Sequence, residues 1–378
     1  MAGEPPDENL DDAGDREESA APLSALAGAT LNGVNLRGKS LAGCDLTGAD
    51  LSGANLEEAD FEDAHLASSN LTNANLRKAN LRGATIAEAV LTGADLREAN
   101  LEMVDCTKTD LRGAKLMGVN LSQANLTGAE LESVDLSEAN FEDATLTGAY
   151  LVGAILDKAK FLSTDLTDAN LSQASLKGAD FHSAILKNTL LIESDLSWAS
   201  FDDAIVEKVT FAGASLREAR LVNADIGRTD LSYCELRGAD LTGTTADRSS
   251  FFRANLEGVK ASDSSLEFAD FRFTNLRKAV LTRASLVGAE TDQTEFDGAD
   301  LTESDLYWTK LTPSDLHSCT TEHARFPEKI VVAYGPQGVT PPQVQPKPLY
   351  PEALTETERK ERAKQRPKEV KSAMTAEN

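Results

Sequence analysis

From Leu26 to Phe326 every fifth residue of the chain is apolar with few exceptions, without a change of register. Of these 61 positions, 53 are Leu or Phe, and the other eight are Ile86, Cys106, Val206, Ile226, Ala246, Ala261, Thr291 and Thr321. Two residues before each centre stands a small side chain: 36 of those 60 positions are Ala, and Lys39 is the one charged exception. A period of five with two inward positions fits neither the 3.6 of a helix nor the 2.0 of an ordinary strand. The chain must therefore close in another way. If each pentapeptide forms one short straight side and then turns, four sides return it to its start, and successive coils stack at strand spacing, about 4.8 Å. The centre then fills the axis, and the small residue fits where the wall bends inward. Asn or Asp just before the centre (Asn35, Asp45, Asp50) can bond local backbone at the turn. Gly two residues after it (Gly33, Gly38, Gly43) relieves the corner.

Composition agrees with such thin layers. Aromatics make up only 5% of the 378 residues while 41% are hydrophobic, mostly Ala and Leu, which suits many identical layers better than one thick core. No apolar run approaches the roughly 18 residues of a membrane helix, so no membrane partner is expected. The acidic start, Met1 to Glu8, has neither a basic nor an apolar signal region, which predicts a cytoplasmic protein. Four Cys in a chain of this length give no disulfide framework.

The pentapeptides Ala49-Asp50-Leu51-Ser52-Gly53 and Ala54-Asn55-Leu56-Glu57-Glu58 resemble the A-[DN]-L-x-x unit of the pentapeptide-repeat family. The resemblance implies an all-β fold, a right-handed quadrilateral β-helix, over residues 23–326. At 20 residues per coil that is about 15 coils and a length of roughly 70 Å. Residues 1–22 hold eight acids against one Arg and predict a disordered tail. Residues 327–378 read as a Pro-rich linker, Gly335 to Pro348, followed by a short charged helix at Ala353 to Gln365. The Ile330-Val331-Val332 segment could cap the open end of the solenoid.

The search for chemistry finds no catalytic, cofactor-binding or metal-binding residues. Cys44, Cys234 and Cys319 fall on the small inward position and Cys106 on a centre, where a thiol acts as a small hydrophobe. His65, His182, His317 and His323 all point outward, so His317 and His323 diverge from Cys319 and do not make a zinc site with it. No phosphate loop or nucleophile elbow is present, and a filled interior leaves no cleft, so no enzyme and no cofactor are expected.

Two surfaces stand out instead. Residues 20 apart share a face, and the face with centres Phe61, Leu81 and Leu101 sums to a charge of -9, against -5, -5 and -3 for the others, in a chain of net charge -25. Its candidates are Asp60, Glu62, Asp63, Glu142, Asp143, Asp202 and Asp203. Acidity on this scale excludes direct nucleic-acid binding. Members of the family of the quinolone-resistance type are DNA mimics that occupy type II topoisomerases, and the resemblance implies that this face would carry such an activity. Against that, 17 Asp stand just before a centre, where the repeat itself wants Asp or Asn. The second surface is aromatic: Tyr233, Phe252 and Phe273 point outward on three successive coils of one face, with Phe268, Tyr307 and Trp308 on the adjacent face. The repeat demands nothing apolar there, so the strip points to protein contact. The occupant is either a foreign protein, the chain's own tail, or a second copy joined through the carboxyl-terminal coils, as in relatives of the family. The expected function is thus a non-enzymatic protein-binding scaffold, with topoisomerase binding by DNA mimicry as the alternative.

Overall fold

The structure, a computed structural model, describes residues 26–327, so both tails, with Ile330 to Val332 and the 353–365 stretch, lie outside the described residues. The residue before each centre makes a parallel bridge to its equivalent 20 positions on: Thr30 to Asp50, Asn35 to Asn55, Ser40 to Asp60, Asp45 to His65. Four consecutive pentapeptides therefore build four walls. Wall 1 has centres Leu26, Leu46 and onward in steps of 20; wall 2 starts at Leu31, wall 3 at Leu36 and wall 4 at Leu41.

Three backbone bonds per pentapeptide tie each coil to its neighbours. Leu51 N–H donates to Asn70 O at 2.8 Å, Gly53 N–H to Thr72 O at 2.8 Å, and Asp50 N–H to Ala29 O at 2.9 Å. The chain then turns, with Ala54 N–H donating back to Leu51 O at 3.0 Å. The residue two after the centre has a left-handed backbone, as at Gly53 (φ 62°), Lys78 (φ 58°) and Glu98 (φ 64°), while the residue before it does not. An i to i+3 bond with positive φ at the third residue alone is a type II turn.

The interior is a stack of centres. Leu46 and nearly every later centre are fully buried, with Ala at the inward bend beside them. Phe141, Phe161, Phe181 and Phe201 on wall 4 stack face to face, with centroids 5.0, 4.7 and 4.7 Å apart and planes within 3°. Phe211 on wall 2 meets Phe201 edge-on at 5.9 Å. Where Thr replaces the inward Ala its hydroxyl bonds the carbonyl of the centre one coil earlier, except at Thr309, which bonds Leu306 O in its own turn. Thr164 Oγ1 donates to Phe141 O at 2.7 Å and Thr244 Oγ1 to Leu221 O at 2.7 Å. That bond removes most of the penalty for burying the hydroxyl.

The Asn or Asp before each centre does two things. Asp60 Oδ1 accepts Glu62 N–H at 3.2 Å, an Asx turn that holds the corner. The same oxygen accepts Asn80 Nδ2 at 3.0 Å, and the pattern continues up wall 4 through Asn100, Asn120 and Asn140 at 3.3 to 3.4 Å.

The sequence register runs on to Phe326, but the ladder is interrupted before it. Glu290 and Glu295 are bridged to the coil before them and not to the coil after, while Asp300 to Thr320 and Asp305 to Arg325 restore the pairing. In the gap lies a 3-10 turn, Pro313–Leu316. Pro313 occupies a corner position, which needs a left-handed backbone, and proline is held at negative φ, so the corner cannot form. Below it, Thr291 Oγ1 is buried with no partner.

Leu136 is fully buried and its neighbour Ser137 points outward, so Leu136→Asp should lose at least about 4 kcal/mol while Ser137→Asp loses well under half of that. Thermal melting of the two variants checks the inward assignment. On wall 3, Asp95 accepts Arg97 Nε at 2.8 Å, with Lys115 Nζ 3.6 Å away, and the Arg97 guanidinium lowers its pKa from the usual 3.8 to about 2. A lowered pKa gives stability that is complete above pH 4 and lost as pH falls toward 2. Asp95→Asn keeps the Asx acceptor without the charge, so its melting temperature should fall less steeply than that of the parent between pH 4 and 2.

Candidate protein-interaction site

The corners decide which side chains reach solvent. Tyr233 (φ 61°), Phe268 (φ 57°), Phe273 (φ 61°) and Trp308 (φ 66°) all stand at the left-handed corner position, where Gly33 or Gly48 stands elsewhere. A non-Gly residue there costs roughly 1–2 kcal/mol. Non-Gly residues outnumber Gly at these corners, most of them polar or charged, so an aromatic ring there is a departure in chemistry that the repeat does not require.

Tyr233, Phe252 and Phe273 form one cluster on wall 2. The rings of Tyr233 and Phe252 meet edge to face at 5.8 Å, and those of Phe252 and Phe273 at 5.5 Å. Arg253 lies in the same corner column as Tyr233 and Phe273, one coil from each, and its guanidinium sits 6.0, 5.4 and 5.3 Å from the Tyr233, Phe252 and Phe273 rings. Arg272 also lies over the Phe252 ring, at 5.6 Å, while its Nη2 holds Asp270 at 2.7 Å. Tyr233 is nevertheless 57% exposed and Phe273 42%. The strip is a braced, accessible ridge.

The other aromatic candidates stand on wall 1, beside it. Phe268 pairs with Arg248 at 5.5 Å, and its ring lies over the bare corner of Gly288, where a Cβ would come within 2.6 Å of it. Tyr307 and Trp308 pack together at 5.3 Å, with Arg325 4.6 Å above the Tyr307 ring. Leu190, two coils before Tyr233, is exposed on the same wall. Trp198, the most exposed of the large apolar side chains at 63%, is not among the sequence candidates. It stands at a left-handed corner of wall 3 beside a shallow depression bordered by Lys177, Asp195, Arg217 and Arg237. The arginine brace is legible in the sequence, since Tyr233, Arg253 and Phe273 follow one another at the period of the coil.

On wall 4 the acidic candidates are brought to one face but divide in role. Asp60 holds its corner and the amide ladder. Asp202 Oδ1 accepts Val222 N–H at 3.0 Å, and its other oxygen pairs with Arg220 Nη2 at 2.8 Å. Arg82 bridges Glu62 at 3.2 Å and Glu102 at 3.9 Å. Asp63, Glu142, Asp143 and Asp203 are exposed.

Among the described residues no group of three His, Cys, Asp or Glu could hold a metal, and no helix is long and apolar enough to cross a membrane. Cys319 Sγ donates to Phe296 O at 3.1 Å, the bond that Thr makes elsewhere at this position. Burial pushes its thiol up to about 11 and that of Cys234 up to about 12, and it raises Cys44 and Cys106 as well, so none is a ready thiolate.

The family described as pentapeptide repeats (eight copies) matches overlapping stretches of this chain between residues 25 and 317. The chain belongs to the pentapeptide-repeat family. Its coils accordingly form a right-handed β-helix solenoid. A pentapeptide repeat protein from the thylakoid lumen of Arabidopsis thaliana is 31% identical over 27% of this chain and 68% of its own, with a TM-score of 0.22. Rfr23, from the cyanobacterium Cyanothece 51142, is 31% identical over 31% of this chain and 83% of its own, with a TM-score of 0.20. QnrB1, a plasmid-mediated fluoroquinolone resistance protein, is 18% identical over 50% of this chain and 94% of its own, with a TM-score of 0.25. Superpositions at these TM-scores carry no argument about function. No curated protein sequence matches the chain.

Replacing a corner aromatic by Gly should relieve the backbone. Trp198→Gly is expected to leave stability unchanged or raise it by up to about 1 kcal/mol, and denaturant melting tests this. A loss above that amount would show that the exposed ring holds the fold.

Proposed function

We propose that this pentapeptide-repeat solenoid of about 15 coils is a non-enzymatic binding rod that engages protein through the aromatic ridge of wall 2. The observation that carries the reading is the cluster of Tyr233, Phe252 and Phe273 around Arg253, held outward at a cost to the corners. Rigid, braced aromatics with an Arg among them are the side chains that dominate protein–protein contacts. The interior is filled, so there is no cleft to desolvate a reacting group.

The second reading, DNA mimicry toward a type II topoisomerase, draws on the -9 charge of wall 4 and on the exposure of Glu142, Asp143 and Asp203. It is the weaker one. Asp60 and Asp202 serve the fold, and Arg82 and Arg220 break the run of negative charge.

Affinity capture by the full chain separates the readings when it is paired with light scattering and two variants. Tyr233→Ser, Phe252→Ser, Phe273→Ser should weaken capture at least about tenfold and leave wall 4 intact. Glu142→Lys, Asp143→Lys, Asp203→Lys should change it little, and added salt should have a small effect. Capture of a topoisomerase that falls steeply with salt and is lost in the Lys variant would overturn the first reading. A mass of two chains that reverts to one in the Ser variant would identify the partner as a second copy.

A further inference from the structure

We propose that the wall 2 ridge takes an acidic segment of another protein, one in which carboxylates alternate with apolar side chains. This rests on the reading of the ridge as a contact surface and names the chemistry of its partner.

The arginines carry the inference. Among the described residues every arginine has a carboxylate within 4.0 Å except Arg228, Arg248 and Arg253. Those three border the same two coils of wall 2. Arg228 and Arg248 stand on successive coils at the corner where wall 1 passes into it, and Arg253 stands at its far corner among the rings. The carboxylates of Asp230, Asp247 and Asp270 are engaged elsewhere. Asp230 Oδ1 accepts Ser232 N–H at 2.9 Å, Asp247 Oδ1 accepts Glu267 N–H at 3.0 Å and Ser265 Oγ at 2.6 Å, and Asp270 is bound by Arg272 at 2.7 Å. In a chain of 62 Asp and Glu against 37 Lys and Arg, guanidiniums without a counter-charge are the exception, and here they share one patch. A guanidinium stacked against aromatic rings keeps N–H groups at its edge for a carboxylate.

The local sign differs from that of the chain. On the coils with centres Leu231 and Phe251, wall 2 and its two corners hold Arg228, Arg248 and Arg253 against Asp230, a sum of +2, where the whole chain carries -25. At physiological salt the screening length is about 8 Å, less than two coils at strand spacing, so a docked segment responds to the patch and not to the whole rod.

The same layout selects among anions. A nucleic acid fits poorly, because its charge runs on past these coils over Glu193 on one side and Glu290 and Asp292 on the other. A single phosphoryl group fits poorly too, since the guanidiniums do not converge on one point: Arg248 is drawn over Phe268 on the following coil, at 5.5 Å, while Arg253 stays among its rings at the opposite corner. Separate carboxylates with apolar side chains between them match both the spaced cations and the rings of Tyr233, Phe252 and Phe273. Ion pairs made beside those rings are partly desolvated, so salt weakens them less than it weakens exposed pairs.

The test is fluorescence anisotropy of the full chain with short labelled peptides: one alternating Glu or Asp with Phe or Leu, a neutral counterpart with Gln or Asn for the acids, and a third with one phosphoserine in their place. The acidic peptide is expected to bind at least about tenfold more tightly than the neutral one. Among the described residues Arg228 touches none of the ridge rings, so Arg228→Gln removes charge and leaves the brace in place. It should weaken the acidic peptide about threefold and leave the neutral one unchanged. Arg248→Gln with Arg253→Gln should erase the preference for the acidic peptide. Equal binding of the acidic and neutral peptides, lost in Tyr233→Ser, Phe252→Ser, Phe273→Ser, would reject the acidic partner and keep the binding rod. Tighter binding of the phosphoserine peptide, or no binding of the acidic one, would also overturn the proposal, and partner capture that is lost in the Ser variant would still uphold the rod. Peptide binding that none of these variants changes would reject the ridge itself.

Discussion

The corner is the constraint on which the rest of this structure depends. A parallel ladder of four-sided coils closes only if the chain turns every fifth residue, and each turn needs one residue with a left-handed backbone. Where the corner is correct, three backbone bonds per pentapeptide follow without help from side chains. Where it is not, at Pro313, a 3-10 turn replaces it and two bridges are lost even though the apolar register continues through Leu311 and Leu316. Hydrophobic spacing selects the fold, and backbone sterics decide locally whether it is realised.

The repeat also fixes where function can reside. Inward positions are committed to Leu, Phe and Ala, and about half of the positions before a centre to the Asx turn and the amide ladder. The two corner residues of each pentapeptide, and the position before the centre wherever it is not Asn or Asp, remain free to vary. A surface built that way is a lattice with a step of one coil along the axis, so a partner is recognised by columns of side chains on successive coils. Tyr233, Arg253 and Phe273 make such a column, with Arg253 stacked between two rings.

The period of five, the four walls, the inward thiols and the Asx turns can all be read from the sequence, because each depends on a residue type repeated at one position. The break at Pro313 escapes such a reading because the apolar register passes through it, although Pro at a corner is a visible signal. Trp198 escapes it because it stands without an aromatic neighbour in its column, and its placement becomes clear only from its exposure beside the wall 3 depression. Phe268, Tyr307 and Trp308 lie on the adjacent wall, where Phe268 meets Arg248 and Tyr307 meets Arg325 and Trp308.

The acidity of the chain and its aromatics thus have different origins. Asp before a centre accepts backbone N–H groups, a task Asn performs equally well at Asn80 or Asn100, so a repeat that draws on both accumulates negative charge without selection for charge. Several of these carboxylates are then met by arginines two residues away, as Asp95 is by Arg97, Asp110 by Arg112 and Asp270 by Arg272, which lowers their pKa and spends their field locally. Aromatic corners have no such structural origin. The interior does not use them, the left-handed backbone penalises Tyr233 and Phe273, and one coil before Tyr233 the same position holds Gly213. A surface feature that the repeat does not require and that yet clusters on three successive coils says more about what the protein touches than a larger feature that the fold produces unasked.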